Sequence, residues 1–156
     1  MIALSMNSGA RGLLASQLRA AGALSIRCRS SVRVRKDFDR QVNSSGGEWS
    51  CWPWTGGLTP QGYGTARVRH DGVSVAANAH RVAYYKATGF WHWGQSGYVI
   101  RHLCHNPACC NPRHLLVGTR GENAWDDYMR QMGVDLVAIR RDLERGPFLA
   151  LAGVAQ

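Results

Sequence analysis

The spacing of apolar positions changes several times along the chain, and each change predicts an element. Residues 63–69 (YGTARVR) and 73–77 (VSVAA) read as two strands, with Arg67 and Arg69 at alternate positions on one face of the first. Asp71-Gly72 between them is the dipeptide best suited to a type I′ turn, so the two predict a β-hairpin. From Asn78, a residue able to cap a helix, the spacing becomes helical. Val82, Ala83 and Ala87 share a face, and Gly89 stops the helix near Thr88. Residues 98–103 (YVIRHL) and 115–118 (LLVG) predict two more strands. Thr119 and Glu122 spell a T-x-x-E capping box, which predicts a helix through Asn123, Trp125 and Met129 to about Met132, ended by Gly133. Val134 to Arg145 carries Leu136, Val137, Ile139 and Leu143 at helical spacing with charges outside them, the pattern of a packing helix. Ahead of the hairpin lie the cluster Trp49, Trp52, Trp54 and a loop marked by Gly56, Gly57, Pro60 and Gly62. A second aromatic loop, Trp91 to Gly97, separates the first helix from the later strands.

At 156 residues, 45% hydrophobic and 19% charged, the chain has room for one domain and a tail, not two domains. No apolar run reaches the roughly eighteen residues of a membrane span. Arg11 and Arg19 interrupt the apolar start, so neither a membrane protein nor a secretory signal is expected. Residues 1–36 hold seven basic side chains and no acid. They are expected to be a disordered basic extension, with a phosphate-contacting arm or an organelle transit peptide as the competing readings. The folded part is expected near Asp37, giving an extension over 1–36, a domain over 37–132 and a C-terminal helix and tail over 133–156.

The net charge is +9. Residues 51–120 contribute seven basic residues against the single acid Asp71, so the middle of the chain is a basic block in its own right. Polyanions follow as partners, with nucleic acid first among them. Cys28, Cys51, Cys104, Cys109 and Cys110 are an odd number without a secretory signal, which disfavours a disulfide framework and suits metal binding in a reducing compartment.

The block His102-Leu-Cys104-His105-Asn106-Pro107-Ala108-Cys109-Cys110-Asn111-Pro112-Arg113-His114 concentrates ligands between two strands. Cys104, Cys109 and His114 follow a C-x4-C-x4-H spacing, and thiolate with imidazole is the donor set zinc prefers. A tetrahedral structural site needs a fourth ligand. Cys51 is the best candidate because a remote ligand would tie the start of the domain to the loop, and Cys110 and His105 compete with it. Asn106-Pro107 and Asn111-Pro112 supply turns.

Together with C-W-P-W, G-Y-G, A-H-R-V-A-Y and G-T-R-G-E-N, this block resembles the HNH, or ββα-metal (His-Me finger), nucleases. Within them it looks most like the His-Cys box homing endonucleases and small phage-type HNH proteins, over roughly Cys51 to Asp127. The resemblance implies an α+β fold: a ββα-metal core with a zinc-stabilised loop, a preceding β-hairpin and flanking helices. It implies His102 as the general base that activates water. It makes Cys51, Cys104, Cys109 and His114 the zinc ligands, and Asn123 the residue holding one catalytic cation, usually magnesium, against the scissile phosphate. It lays the hairpin on double-stranded DNA, so Arg67 and Arg69 are the first expected contacts, with Arg81 and Arg101 also eligible to reach a phosphate. His80 is read as structural, and Asp126 as either support for the metal shell or a solvated charge.

The chemistry is coherent without the resemblance. Phosphodiester hydrolysis needs a base of near-neutral pKa and a hard cation to offset developing charge, and imidazole and a hydrated magnesium ion meet those needs. No Cys or His follows His114, so the second zinc site of the dimeric His-Cys box enzymes is absent, and monomer and homodimer are equally expected. A phage-borne enzyme in the cytoplasm of a bacterial host is the expected setting, with organelle targeting left to residues 1–36. The contrasting hypothesis is a non-catalytic zinc module that binds nucleic acid, which would need the cysteines and arginines but not His102 and Asn123 together.

Overall fold

The computed structural model describes residues 32–91 and 97–145. Expectations for residues 1–31, for most of the loop after Trp91 and for the tail beyond Arg145 lie outside the described residues. The elements run β1 (Val32–Val34), β2 (Thr65–His70), β3 (Val73–Asn78), α1 (Ala79–Thr88), β4 (Tyr98–His102), β5 (Leu115–Thr119), α2 (Arg120–Gln131) and α3 (Leu136–Arg145). Short 3-10 turns occupy Asp39–Gln41 and Pro112–His114. The fold is mixed α+β, with two small antiparallel sheets, β1-β2-β3 and β4-β5.

The hairpin forms where the two strand-like segments and Asp71-Gly72 predicted it. β2 and β3 pair from Thr65↔Asn78 to His70↔Val73, and Asp71 and Gly72 turn the chain at φ 48° and 85°. On β2 Ala66 and Val68 are buried while Arg67 and Arg69 are exposed, so the period of two places the arginines on the outer face. β1 was not expected. It pairs Val34 with Val68 and Arg33 with Arg69, which brings part of the stretch 1–36 into the sheet. Three residues among arginines and serines give too short a pattern to register as a strand.

α1 runs from Ala79 to Thr88, and Gly89 closes it at φ 74° with its N–H on the Tyr85 carbonyl. Asn78 occupies the N-cap position, but its side chain makes no capping bond. The helix start is secured instead by backbone, Ala79 N–H donating to the Gly64 carbonyl at 2.7 Å. That close approach accounts for the glycine of the G-Y-G motif, because a Cβ on Gly64 would lie 2.7 Å from Trp54 Cγ and 2.8 Å from Ala79 Cβ. The expected apolar face also shifts, with Ala87 exposed and Ala79 and Tyr84 buried beside Val82 and Ala83.

α1 packs between the two sheets. Val82, Ala83 and Tyr84 join Ala66 and Val68 of β2, Ile100 of β4, Leu115 and Val117 of β5, and Phe38, Trp54 and Trp91 in one core. Leu116, on the other face of β5, meets Leu103, Leu136 and the partly buried Trp125 and Met129 in a second. β5 is thus buried on both faces and fixes α2 and α3 to the rest of the chain. The T-x-x-E box forms in full: Thr119 Oγ1 accepts from the Glu122 N–H at 3.1 Å, and Glu122 Oε2 accepts from the Thr119 N–H at 2.6 Å. A core of this size leaves little surplus over chain entropy, which is the situation in which a bound structural metal matters most.

Candidate active site

The loop between β4 and β5 folds back on itself and closes against the segment 49–54. Cys51, Cys104, Cys109 and His114 come together there, each offering a ligand atom within 4.8 Å of the others. The His114 ring is oriented from behind. Its Nε2 donates to the Trp49 carbonyl at 3.1 Å, leaving Nδ1 to face the sulfurs of Cys51 and Cys109, each 3.6 Å away. Cys110 and His105, the competing fourth ligands, stand outside this group. Burial pushes the Cys110 thiol up to about 12, and its side chain belongs to the main core.

The four groups favour a cation electrostatically. Cys109 falls to about 4, chiefly because the Cys104 thiol donates to it, with His114 and the Asn111 N–H adding to the effect. Beside that thiolate Cys104 is held far above its ordinary value by the same bond and by burial, and burial raises Cys51 too. One negative charge therefore suppresses the others, and a divalent cation removes that conflict. Three thiols and one imidazole are the donor set of a structural zinc site, so the cluster could hold a metal such as zinc.

Asn111 does more than turn the chain. Fully buried, it donates to the Glu48 and Ser50 carbonyls at 2.8 and 2.7 Å and accepts from the Arg113 N–H at 2.9 Å. The segment bearing Cys51 is thereby sutured to the loop bearing the other three ligands. Backbone bonds continue the seam, from Trp54 N–H to the Ala108 carbonyl and from Cys110 N–H to the Trp52 carbonyl. Arg113 adds ion pairs to Glu48 and Glu144 and lies over the Trp49 ring at 4.9 Å.

His102 ends β4 at the mouth of this loop. Its Nε2 lies 3.2 Å from the Cys109 carbonyl. A carbonyl only accepts, so Nε2 carries the proton and Nδ1 keeps its lone pair. Burial lowers the pKa of His102, and the bond to Cys109 opposes that shift. His102 and Asn123 line one cleft of about 280 Å³, together with Gln61, Tyr63, His105, Pro107, Asp127 and Arg130. Asp127 and Arg130 follow Asn123 on α2 at four and seven residues, a helical spacing that could have singled them out. Asp127 pairs with His105 Nδ1 at 3.2 Å, and His105 sits in left-handed backbone at φ 53°.

His80 packs beside His102, their ring centroids 4.5 Å apart in an edge arrangement, with Tyr63 against both. Burial, then the nearby charges of His102 and Arg81, lower His80 to about 2, so it stays neutral. Arg81, partly exposed, follows it on α1. Arg67 and Arg69 are exposed on β2 and are not among the residues that line the cleft. Arg101 corrects the expectation of DNA contact: it is 1% exposed, turned into the protein where its Nη1 donates to both carboxylate oxygens of Asp126. Asp126 is accordingly neither a solvated charge nor a member of the cleft. Strand alternation puts Arg101 and His102 on opposite faces of β4, so when one reaches the cleft the other must point beneath α2.

Among the described residues, no helix is long and apolar enough to cross a membrane. The family model described as HNH endonuclease matches residues 77–125, from the end of the hairpin to the start of α2. Protein 2.8 of Escherichia phage T7 is 37% identical over 86 residues, covering 55% of this chain and 52% of its own length. Protein 7.7 of the same phage is 37% identical over 76 residues, 49% of this chain and 53% of its own. The chain thus spans about half the length of these curated relatives. No solved structure matches it. Motif order, fold and the family match agree in likening residues 77–125 to an HNH endonuclease domain, here set in an α+β fold and with similar proteins in phage.

Proposed function

We propose that the protein is a metal-dependent endonuclease that hydrolyses phosphodiester bonds of double-stranded DNA. The observation carrying this reading is the shared cleft of His102 and Asn123, with the His102 tautomer fixed by the Cys109 carbonyl. His102 Nδ1 takes a proton from a water whose oxygen attacks phosphorus; the P–O3′ bond breaks, and the departing 3′ oxygen takes a proton from a second water, giving a 3′-hydroxyl and a 5′-phosphate. Asn123 offers an amide oxygen to one divalent cation, magnesium in this reading, with water and phosphate oxygens completing its shell. Bound there, the cation would offset charge on the phosphorus and the leaving oxygen. Cys51, Cys104, Cys109 and His114 are assigned to zinc, whose part is structural: it would fix the loop that orients His102. Exposed Arg67 and Arg69, and partly exposed Arg81, are assigned to phosphate contacts. The nuclease domain is taken to reach Met132, with residues 133–156 as a C-terminal helix and tail.

Supercoiled plasmid cleavage tests this directly, with magnesium and with EDTA, for the wild type and for His102→Ala checked for zinc content. Magnesium-dependent nicking or linearisation lost in a zinc-loaded mutant is the expected result. Equal cleavage by the mutant would overturn the assignment of the base. Binding without cleavage by either protein would favour the non-catalytic zinc module.

A further inference from the structure

The most deeply buried charges among the described residues stand on the same two elements as the groups to which the nuclease reading assigns the chemistry. Arg101 immediately precedes His102 on β4, and Asp126 follows Asn123 by three residues on α2. Arg101 Nη1 donates to both Asp126 carboxylate oxygens, at 2.8 and 2.7 Å, and to the Glu122 carbonyl at 3.3 Å. The two side chains are 0% and 2% exposed. Space for the guanidinium comes from Gly118 on β5, where a Cβ would lie 2.7 Å from Arg101 Nε and 2.8 Å from Glu122 Oε2. With the capping box at Thr119, α2 is thereby tied to the β4-β5 hairpin at three points, and Asn123 lies between the last two in sequence.

A buried ion pair is a poor way to gain stability, since well-packed apolar residues of similar volume often do as well or better. What one guanidinium nitrogen set against two carboxylate oxygens and a helix carbonyl supplies is direction: it ties the rotation and height of α2 to β4. We infer that Arg101 and Asp126 are a positioning pair that sets the separation of Asn123 from His102, and so the place of the cation relative to the base. This rests on the nuclease reading. Neither residue touches substrate.

The test compares wild type with Asp126→Asn, Asp126→Glu and Arg101→Lys, each checked for one zinc per chain and assayed well below its melting temperature. Single-turnover plasmid cleavage at saturating magnesium is one readout. The other is broadening of the His102 ring resonances by added Mn2+, which depends steeply on the cation-to-ring distance and is absent in Asn123→Ala. Asp126→Asn and Arg101→Lys are expected to cleave about tenfold to a hundredfold more slowly, with weakened broadening, and Asp126→Glu to recover part of both. If a single variant fails to fold, the double variant Arg101→Met/Asp126→Leu leaves no charge uncompensated and carries the same expectation. Lowered melting temperatures with wild-type rate and broadening would overturn the inference, leaving the pair purely structural. A wild type that neither cleaves nor shows the broadening would instead sink the nuclease reading, and the positioning role with it.

Discussion

His102 Nε2 and the Cys109 carbonyl oxygen stand 3.2 Å apart, so a residue whose sulfur lies in the metal-ligand cluster orients the imidazole of the cleft through its backbone. The cluster and the proposed base are therefore one mechanical unit, and the loop cannot lose its shape without releasing the His102 tautomer.

Removing the metal should abolish catalysis, through the loop that holds His102, as well as weaken the fold. A Cys51→Ser variant, or wild type treated with a strong zinc chelator, is expected to lose cleavage by about a hundredfold or more in proportion to zinc lost. Re-adding zinc to the chelated protein should restore it, while added magnesium alone should not. Zinc content measured alongside cleavage checks this, and full activity in a zinc-free sample would refute the coupling.

The acidic limb of the activity profile follows from the environment of His102. Burial lowers its pKa from the ordinary 6.5, and a base is competent only when deprotonated. Cleavage at saturating magnesium should accordingly rise with pH, reach half its plateau below 6.5 and be flat through neutrality. A midpoint clearly above 6.5 would mean that the titrating base is another group or that the ring is not held as described.

His80 gives a separate prediction about stability. Its pKa falls from 6.5 to about 2 in the folded chain, chiefly through burial, so the unfolded state binds a proton that the native state refuses. The contribution is present in full above pH 6.5 and is lost as pH falls toward the folded value. Between pH 6.5 and about 5, roughly 2 kcal/mol of unfolding free energy should disappear on this account alone. Denaturant unfolding across that range, for wild type and His80→Gln at fixed zinc, isolates the term. Parallel pH dependences for the two proteins would show that His80 titrates normally.

Much of the architecture was legible because local chemistry and tertiary structure agree. Asp71-Gly72, Gly89 and the Thr119–Glu122 box mark turns and helix ends whose geometry is set within a few residues. The thiol spacing likewise singled out the loop, and the structure brings Cys51 rather than Cys110 to it. What escaped depends on contacts distant in sequence. Arg101 resembles any basic residue on a strand, and only the gap left by Gly118 and the carboxylate of Asp126 turn it inward. Asn111 looks like a turn residue because its bonds to the Glu48 and Ser50 carbonyls span more than sixty positions. β1 gains its partner from β2, over thirty residues later.

The outer face of the first sheet carries the last prediction. Arg67 and Arg69 stand two positions apart on β2, both exposed, and Arg33 of β1 pairs in register with Arg69. Like charges this close repel one another, so the arrangement is unfavourable for the isolated protein and is relieved by a polyanion. If the sheet lies on DNA, Arg67→Ala and Arg69→Ala should each weaken binding to unrelated duplexes by a similar factor, since phosphate contacts carry no sequence information. Each should also reduce the slope of log affinity against log salt by about one. Arg101→Ala, by contrast, removes a buried charge that no phosphate can reach, and should leave the salt slope unchanged in whatever fraction folds. Binding titrations at several salt concentrations distinguish the two cases. An unaltered slope in the Arg67→Ala/Arg69→Ala double variant would move the DNA to another face of the domain.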